Sequence, residues 1–155
     1  MAPPKDRTIR QIMANRKARH EYEILQTLEA GIVLTGTEVK SIRAGKVNMP
    51  DAYAAFPSKK SNELLLLNLH ISPYEFGNRE NHEPLRPRKL LLHESELRKL
   101  RVMIEEKGLT LIPLAMYFSG AVIKVEIGVG RGKKLYDKRQ SEKEKASRRE
   151  SRITE

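Results

Sequence analysis

The sequence predicts a β-dominated fold: a closed antiparallel barrel flanked by about three short helices and followed by a basic tail that is disordered when free. Three observations lead there. Strand-like segments gather around helical ones without the βαβ rhythm of a parallel sheet. A chain of 155 residues holds one core of ordinary size and not two. The formal net charge of +10 is unevenly spread, since residues 131–152 carry ten Lys or Arg against four Asp or Glu, which is +6 of it. The expected division is a mobile lead-in at 1–14, a barrel at 15–130 and a tail at 131–155.

Each element has its own signal. Residues 8–14 suit a short helical turn with Ile9, Ile12 and Met13 on its apolar side. The run NRKARH at 15–20 is a string of donors and cations leading into a strand, where Tyr22, Ile24 and Leu28 recur near period 2. Glu29, Ala30 and Gly31 interrupt that strand, and Ile32, Val33 and Leu34 resume it. TGTEVKSIR at 35–43 offers a threonine cap, an early glutamate and later cations, so a short helix is expected, ended at Gly45. Residues 52–56 and 63–71 read as strands joined by the polar turn 57–62, hence a hairpin.

Residues 73–87, with Gly77, Asn78, Asn81 and Pro84, have the composition of a long surface loop that orders on binding. Residues 94–107 are the strongest helix. Leu97, Leu100, Val102, Met103 and Ile104 form its apolar side, Glu94 and Glu96 open it and Gly108 stops it, and its expected place is one end of the barrel. A second strand pair spans 109–118 and 121–129 across Ser119 and Gly120. In the tail, Leu135, Tyr136, Ala146 and Ile153 cannot offset the entropy of ordering. Its Lys, Arg and Glu are good helix formers, so folding is expected once phosphates neutralise the cations.

Charge and composition narrow the function. A pI near 9.9 calls for a polyanionic partner: RNA, DNA or an anionic membrane surface. There is no cysteine, which removes disulfide and thiolate chemistry, and apolar runs such as 64–67 are far too short to span a bilayer. The polar, proline-bearing opening residues do not resemble a secretory signal, so a cytoplasmic protein is expected. GVGRGK at 128–133 fails the phosphate-loop spacing, which needs Ser or Thr where Lys134 stands; its glycines read as a flexible exit into the tail. His20, His70, His82 and His93 lack any ligand spacing. No nucleophile, base and orienting acid form an identifiable motif. Neither catalysis nor a cofactor or metal is expected.

The order of several motifs is more specific than any one of them. NRKARH at 15–20 and TGTEVKSIR at 35–43 are followed by AGKVN at 44–48, DAY at 51–53, RKLLL at 88–92, GLTL at 108–111, KVEIG at 124–128 and GKKLYDKR at 132–139. That series resembles the SmpB family, whose members bind transfer-messenger RNA (tmRNA). The resemblance implies an oligonucleotide-binding-like (OB-like) barrel that binds the tRNA-like domain of tmRNA and delivers it to stalled ribosomes for trans-translation. It also implies a monomer and, as partners, elongation factor Tu and the ribosome, at the small-subunit decoding centre and messenger channel.

By the same resemblance Asn15, Lys17, Arg19 and His20 face the elbow of the tRNA-like domain. Lys17 and Arg19 would hold phosphates there, and Asn15 and His20 would bond sugars or base edges. Taken alone, such a run is as often a solvated basic edge. Glu29, Leu91 and Lys124 match positions tied to tmRNA binding: Lys124 by a phosphate contact, Glu29 by accepting from a base or orienting a cation, Leu91 by packing. The ribosome-binding tail would comprise Gly132, Lys133, Lys134, Tyr136, Asp137, Lys138 and Arg139. Tyr136 is an aromatic among cations, able to stack on an unpaired base where some relatives carry histidine. A generic single-strand-binding OB-fold is the other reading. It calls for aromatics interleaved on strands, and the chain has five Tyr, three Phe and no Trp.

Overall fold

A computed structural model describes residues 8–77 and 81–133. From the N-terminus run β1 (Ile9–Ala14), α1 (Arg16–Glu21), β2 (Tyr22–Ile32) and α2 (Gly36–Arg43). Short strands β3 (Val47–Asn48), β4 (Tyr53–Ala55), β5 (Leu64–Leu67), β6 (His70–Ile71) and β7 (Arg88–Leu91) follow. α3 (Glu94–Lys107) then leads into the hairpin of β8 (Thr110–Ser119) and β9 (Val122–Gly132). The fold is β-dominated with three helices, as expected.

All strand pairings are antiparallel, and they run from β8 through β4, β5, β7, β2 and β9 back to β8. β1 lies on the stretch of the β8 edge that β4 leaves open, pairing from Ile9 with Ser119 to Ala14 with Ala115. β3 and β6 form a separate small sheet. Alternation in β9 sends Ile123, Val125, Ile127 and Val129 into the core and leaves Lys124 and Glu126 half-exposed. The expected hairpin of 52–56 with 63–71 is present as β4 and β5. Asn68 ends β5 because it turns into the left-handed region at φ 58°, which asparagine tolerates better than most residues.

Local signals placed two helices correctly. In α2 the backbone N–H of Thr35 donates to Glu38 Oε1 at 2.8 Å, and Gly45 at φ 75° closes the end. α3 stops at Gly108, whose φ of 63° is the left-handed cap. It packs Leu100, with Leu97, Met103 and Ile104, on the core.

Three expectations are corrected. Residues 8–14 are no helical turn: the lead-in contains β1, whose Ile12 and Met13 pack on the core, because the open edge of β8 offers hydrogen bonds that an isolated turn cannot. The basic run does not lead straight into a strand but forms α1. The glycines after Ile127 are not a flexible exit. Gly128 and Gly130 lie within β9, and a Cβ on Gly130 would stand 2.6 Å from the Glu23 carbonyl oxygen, so they permit close strand approach. Arg131 and Gly132, assigned to the tail, still pair with Glu23 and Tyr22, and Lys133 N–H donates to Glu21 O at 2.8 Å. Lys134, Tyr136, Asp137, Lys138 and Arg139, and the tail's expected disorder, lie outside the described residues.

One core feature was not foreseen. Glu38 and Arg88 are both fully buried, with Arg88 Nε donating to Glu38 Oε2 at 2.5 Å and Arg86 Nη2 to Oε1 at 2.6 Å. Arg88 also donates to the carbonyls of Leu69 and Pro84. Burial pushes the Glu38 carboxyl up, but the hydrogen bonds from Arg86, the Thr35 amide and Arg88 outweigh it and hold the group below its ordinary value. For Arg88, burial outweighs the support of Glu38 and lowers its pKa. The cluster ties α2 to β7 and to the loop before it. That loop is further held where the His82 ring bonds Thr37 Oγ1 at 2.9 Å and Ile71 O at 2.8 Å.

Candidate nucleic-acid interface

α1 is too short to be stable alone, and its placement comes from two contacts. Asn15, 2% exposed, is its N-cap: Oδ1 accepts from the Ala18 N–H at 3.2 Å, and Nδ2 donates to Pro113 O at 2.9 Å. The Asn15 backbone N–H donates to Leu114 O at 2.7 Å. Ala18 is buried against Ile112 and Leu114, so the helix lies flat on β8. Pinned this way, α1 leaves Arg16, Lys17, Arg19 and His20 exposed.

Asn15, expected to bond RNA, therefore has both amide groups committed within the fold. Its geometry is that of a residue positioning the cations. Asn15→Ala is expected to lower stability by about 1–2 kcal/mol, the cost of a lost cap, as read by thermal denaturation. An unchanged melting temperature would show that α1 is held without it.

The exposed cations have local partners. Lys17 Nζ lies 3.3 Å from Asp51 Oδ1 and 3.9 Å from Glu21 Oε1, and Arg19 Nη2 lies 3.4 Å from Glu126 Oε1. Such solvent-exposed pairs contribute about 0–1 kcal/mol, so a phosphate can displace the carboxylates at little cost.

Glu29, Leu91 and Lys124, far apart in sequence, are brought together by strand register. Gly31 of β2 faces Leu91 on β7 and Lys124 on β9, while Lys124 faces Tyr117 on β8 and Glu29 faces Glu126 on β9. They open a concavity of about 320 Å³, completed by Leu92, His93 and Glu96 at the start of α3. A Cβ on Gly31 would stand 3.2 Å from Leu91 Cβ and 3.7 Å from Lys124 Nζ, so the glycine lets the ammonium cross the strand. The Tyr117 hydroxyl donates to Glu29 Oε2 and fixes the carboxylate. Leu91 is 51% exposed, an apolar side chain open on a polar rim. Because register partners share a sheet face, the Arg19–Glu126 pair joins α1 to this concavity as one surface.

Where β9 ends, Arg131 Nε lies 2.8 Å from Glu23 Oε2, and its hydrogen bond and charge hold the Glu23 carboxyl below the usual range. Gly132 and Lys133 follow at the end of the β2–β9 ladder; the other expected tail contacts are beyond the described residues. Sequence reasoning missed Gly31, Tyr117, His93 and Glu96. Gly31 carried a usable signal, since a lone glycine inside a strand marks a close approach; Tyr117 carried none apart from its register. Among the described residues no group of three or more His, Cys, Asp or Glu is placed to hold a metal ion, and no helix is long and apolar enough to cross a membrane.

The chain is similar to known proteins over most of its length. A family model described as SmpB protein matches residues 12–154. The SsrA-binding protein of Acetivibrio thermocellus is 57% identical over 131 residues, which is 84% of this chain and 83% of that protein. That of Desulforudis audaxviator is 55% identical over 150 residues, 97% of this chain and 94% of that protein. A solved structure described as "tmRNA-SmpB: a journey to the center of the bacterial ribosome" aligns with a TM-score of 0.65 and 54% identity, covering 88% of this chain and 94% of that one.

Proposed function

The chain belongs to the SmpB family, and from that premise we propose that it binds tmRNA through its tRNA-like domain and brings it to stalled ribosomes for trans-translation. The observation that carries this reading is the convergence of Glu29, Leu91 and Lys124 around Gly31, on a face continuous with the α1 cations. The ring of strand pairings is an OB-like closed barrel in this reading, and it serves as a rigid mount for that face.

The residues divide the work by chemistry. Lys17 and Arg19 exchange their surface carboxylates for backbone phosphates of the RNA, and Lys124 takes a further phosphate beside the concavity. Glu29, oriented by Tyr117, accepts from an exocyclic amino group of an unpaired base, while Leu91 packs against the same nucleotide. His20 bonds a sugar or a base edge, and Asn15 holds the helix that presents it. None of these groups does covalent chemistry, so the role is binding and delivery and not catalysis.

The tail from Gly132 is the ribosome-binding part. Lys133, Lys134, Lys138 and Arg139 neutralise phosphates of the decoding centre and messenger channel, Tyr136 stacks on an unpaired base, and Asp137 lies between them in sequence. The segment beyond Lys133 folds only in an empty channel, which couples binding to the absence of message. The protein acts in the cytoplasm as a monomer, in a delivery complex with elongation factor Tu.

Lys124→Ala tests the barrel half of this reading. Its affinity for tmRNA is expected to fall, and the log–log salt dependence to flatten by about one unit or less, the share of one phosphate contact. Filter binding across a salt series measures both. A folded variant with unchanged affinity and slope would take Lys124 off the interface.

A further inference from the structure

Between the last turns of α3 and the seam of β4 with β8 lies a cleft that the proposed function leaves unused. The two strands meet at one register pair, Ala54 with Leu111, and part beyond it. The gap opens to about 470 Å³ and is walled by Phe56, Ile104, Leu109 and Leu111, with Tyr53 and Thr110 also lining it. Its polar groups are mostly cationic. Arg101 lies over Phe56, Cζ 4.3 Å from the ring centroid, and its Nη1 donates to Lys59 O at 2.9 Å and to Glu105 Oε1 at 3.2 Å. Arg101 Nη2 is buried and has no acceptor among the described residues, and Lys59 has no carboxylate partner among them. Buried donors are nearly always met, so the guanidinium calls for an acceptor from elsewhere.

The chain beyond Lys133 starts near this cleft. Thr110 pairs with Gly130 on β9, about 5 Å away across the ladder. Lys133 follows Gly130 by three residues, so it stands within about 16 Å of Thr110. That gap is spanned by about five extended residues, and Leu135, Tyr136 and Asp137 fall within that reach. The way between is surface: Glu21, whose carbonyl accepts from the Lys133 N–H, lines a smaller hollow together with Tyr53 and Thr110. The opening segment 1–7 is a poor candidate, because it enters at the opposite end of β8, where the Gly120 N–H donates to Thr8 O at 2.9 Å.

We infer that this cleft is the resting seat for the start of the chain's own tail, with Leu135 and Tyr136 against its apolar wall and Asp137 on Lys59 and Arg101. The order of the segment, two large apolar residues and then an acid, matches an apolar cleft edged by cations. Tethering supplies the rest: a short linker holds the segment at an effective concentration of about millimolar, so a weak contact suffices. Lys134, Lys138 and Arg139 flank the seated residues and stay free to meet phosphates. The seat follows from the fold alone. Its consequence, that the Tyr136 ring is withheld from RNA until ribosomal phosphates draw the tail out, rests on the proposed ribosome reading.

The test places a photo-crosslinking aromatic in the full chain, Tyr136→p-benzoylphenylalanine, and maps intramolecular crosslinks of the free protein by mass spectrometry. Crosslinks concentrated on residues 53–59 and 101–111 are expected. Crosslinks spread over the surface, confined to the tail, or absent would overturn the inference, as would an equal yield into the cleft from Ile153→p-benzoylphenylalanine. Lys59 lies on an exposed turn, so its charge can be reversed without touching the core. Lys59→Glu and Asp137→Lys are each expected to lower the cleft yield about 2- to 5-fold, the size of one exposed ion pair, and the double variant to restore it. A double variant as weak as either single one would reject the pairing. Adding tmRNA and ribosomes stalled on a truncated message is expected to move the crosslinks from the cleft to ribosomal RNA, and an undiminished cleft yield there would reject the release. Failure of the ribosome reading itself registers separately, as wild-type tagging by the chain that ends at Lys133.

Discussion

Glu38→Ala is expected to lower stability by about 3–5 kcal/mol, because it leaves a fully buried Arg88 without its counter-ion. A domain of this size has roughly 5–15 kcal/mol in total, so the urea midpoint should fall by about a fifth or more. Arg86 and Arg88 would then face each other across the gap, each already bonded to the same carboxylate in the native protein. Replacing both buried partners, Glu38→Leu with Arg88→Met, is expected to recover much of the loss, since apolar groups of similar size need no counter-ion. A Glu38→Ala protein with the wild-type midpoint would show that the pair contributes nothing.

The same group sets an acid dependence. Glu38 is held below its ordinary value of 4.5 in the folded protein, so the unfolded chain takes up this proton at the higher pH. Its stabilisation is therefore complete above about pH 4.5 and is lost as pH falls through the lower, folded value. Glu38→Gln cannot titrate. The stability difference between wild type and Glu38→Gln should be constant near neutrality and shrink in acid, which urea denaturation at pH 7 and at pH 3 would read.

Deleting residues 134–155 is expected to abolish tagging on stalled ribosomes while tmRNA binding persists. The cut belongs after Lys133. Arg131 and Gly132 pair with β2, and Lys133 N–H bonds Glu21 O, so a cut at 131 would unzip the end of the β2–β9 ladder beside α1 and confuse two effects. A reconstituted stalled-translation assay, run at saturating tmRNA, separates binding from tagging. Tagging at the wild-type rate by the truncated protein would end the two-part reading, and so would loss of its tmRNA binding.

The sequence alone determined the elements whose signals are local. α2 and α3 were readable because a cap, a helical period and a terminal glycine lie within a few residues of one another, and so were the two hairpins with their polar or glycine turns. The ordered motifs also identified the family and named Glu29, Leu91 and Lys124. Tertiary structure decided where those residues meet. Their convergence depends on the register of β7, β2 and β9, which pairs residues separated by 60 and 93 positions at Gly31 alone. Long-range hydrogen bonding likewise turned residues 9–14 into a strand on a vacant edge, drew Asn15 inward to cap α1, and closed β9 glycines against β2. The Glu38–Arg88 pair, 50 residues apart, follows the same rule. A charged side chain looks alike in sequence whether solvent or a counter-ion surrounds it, and only the folded chain supplies the neighbour that settles which.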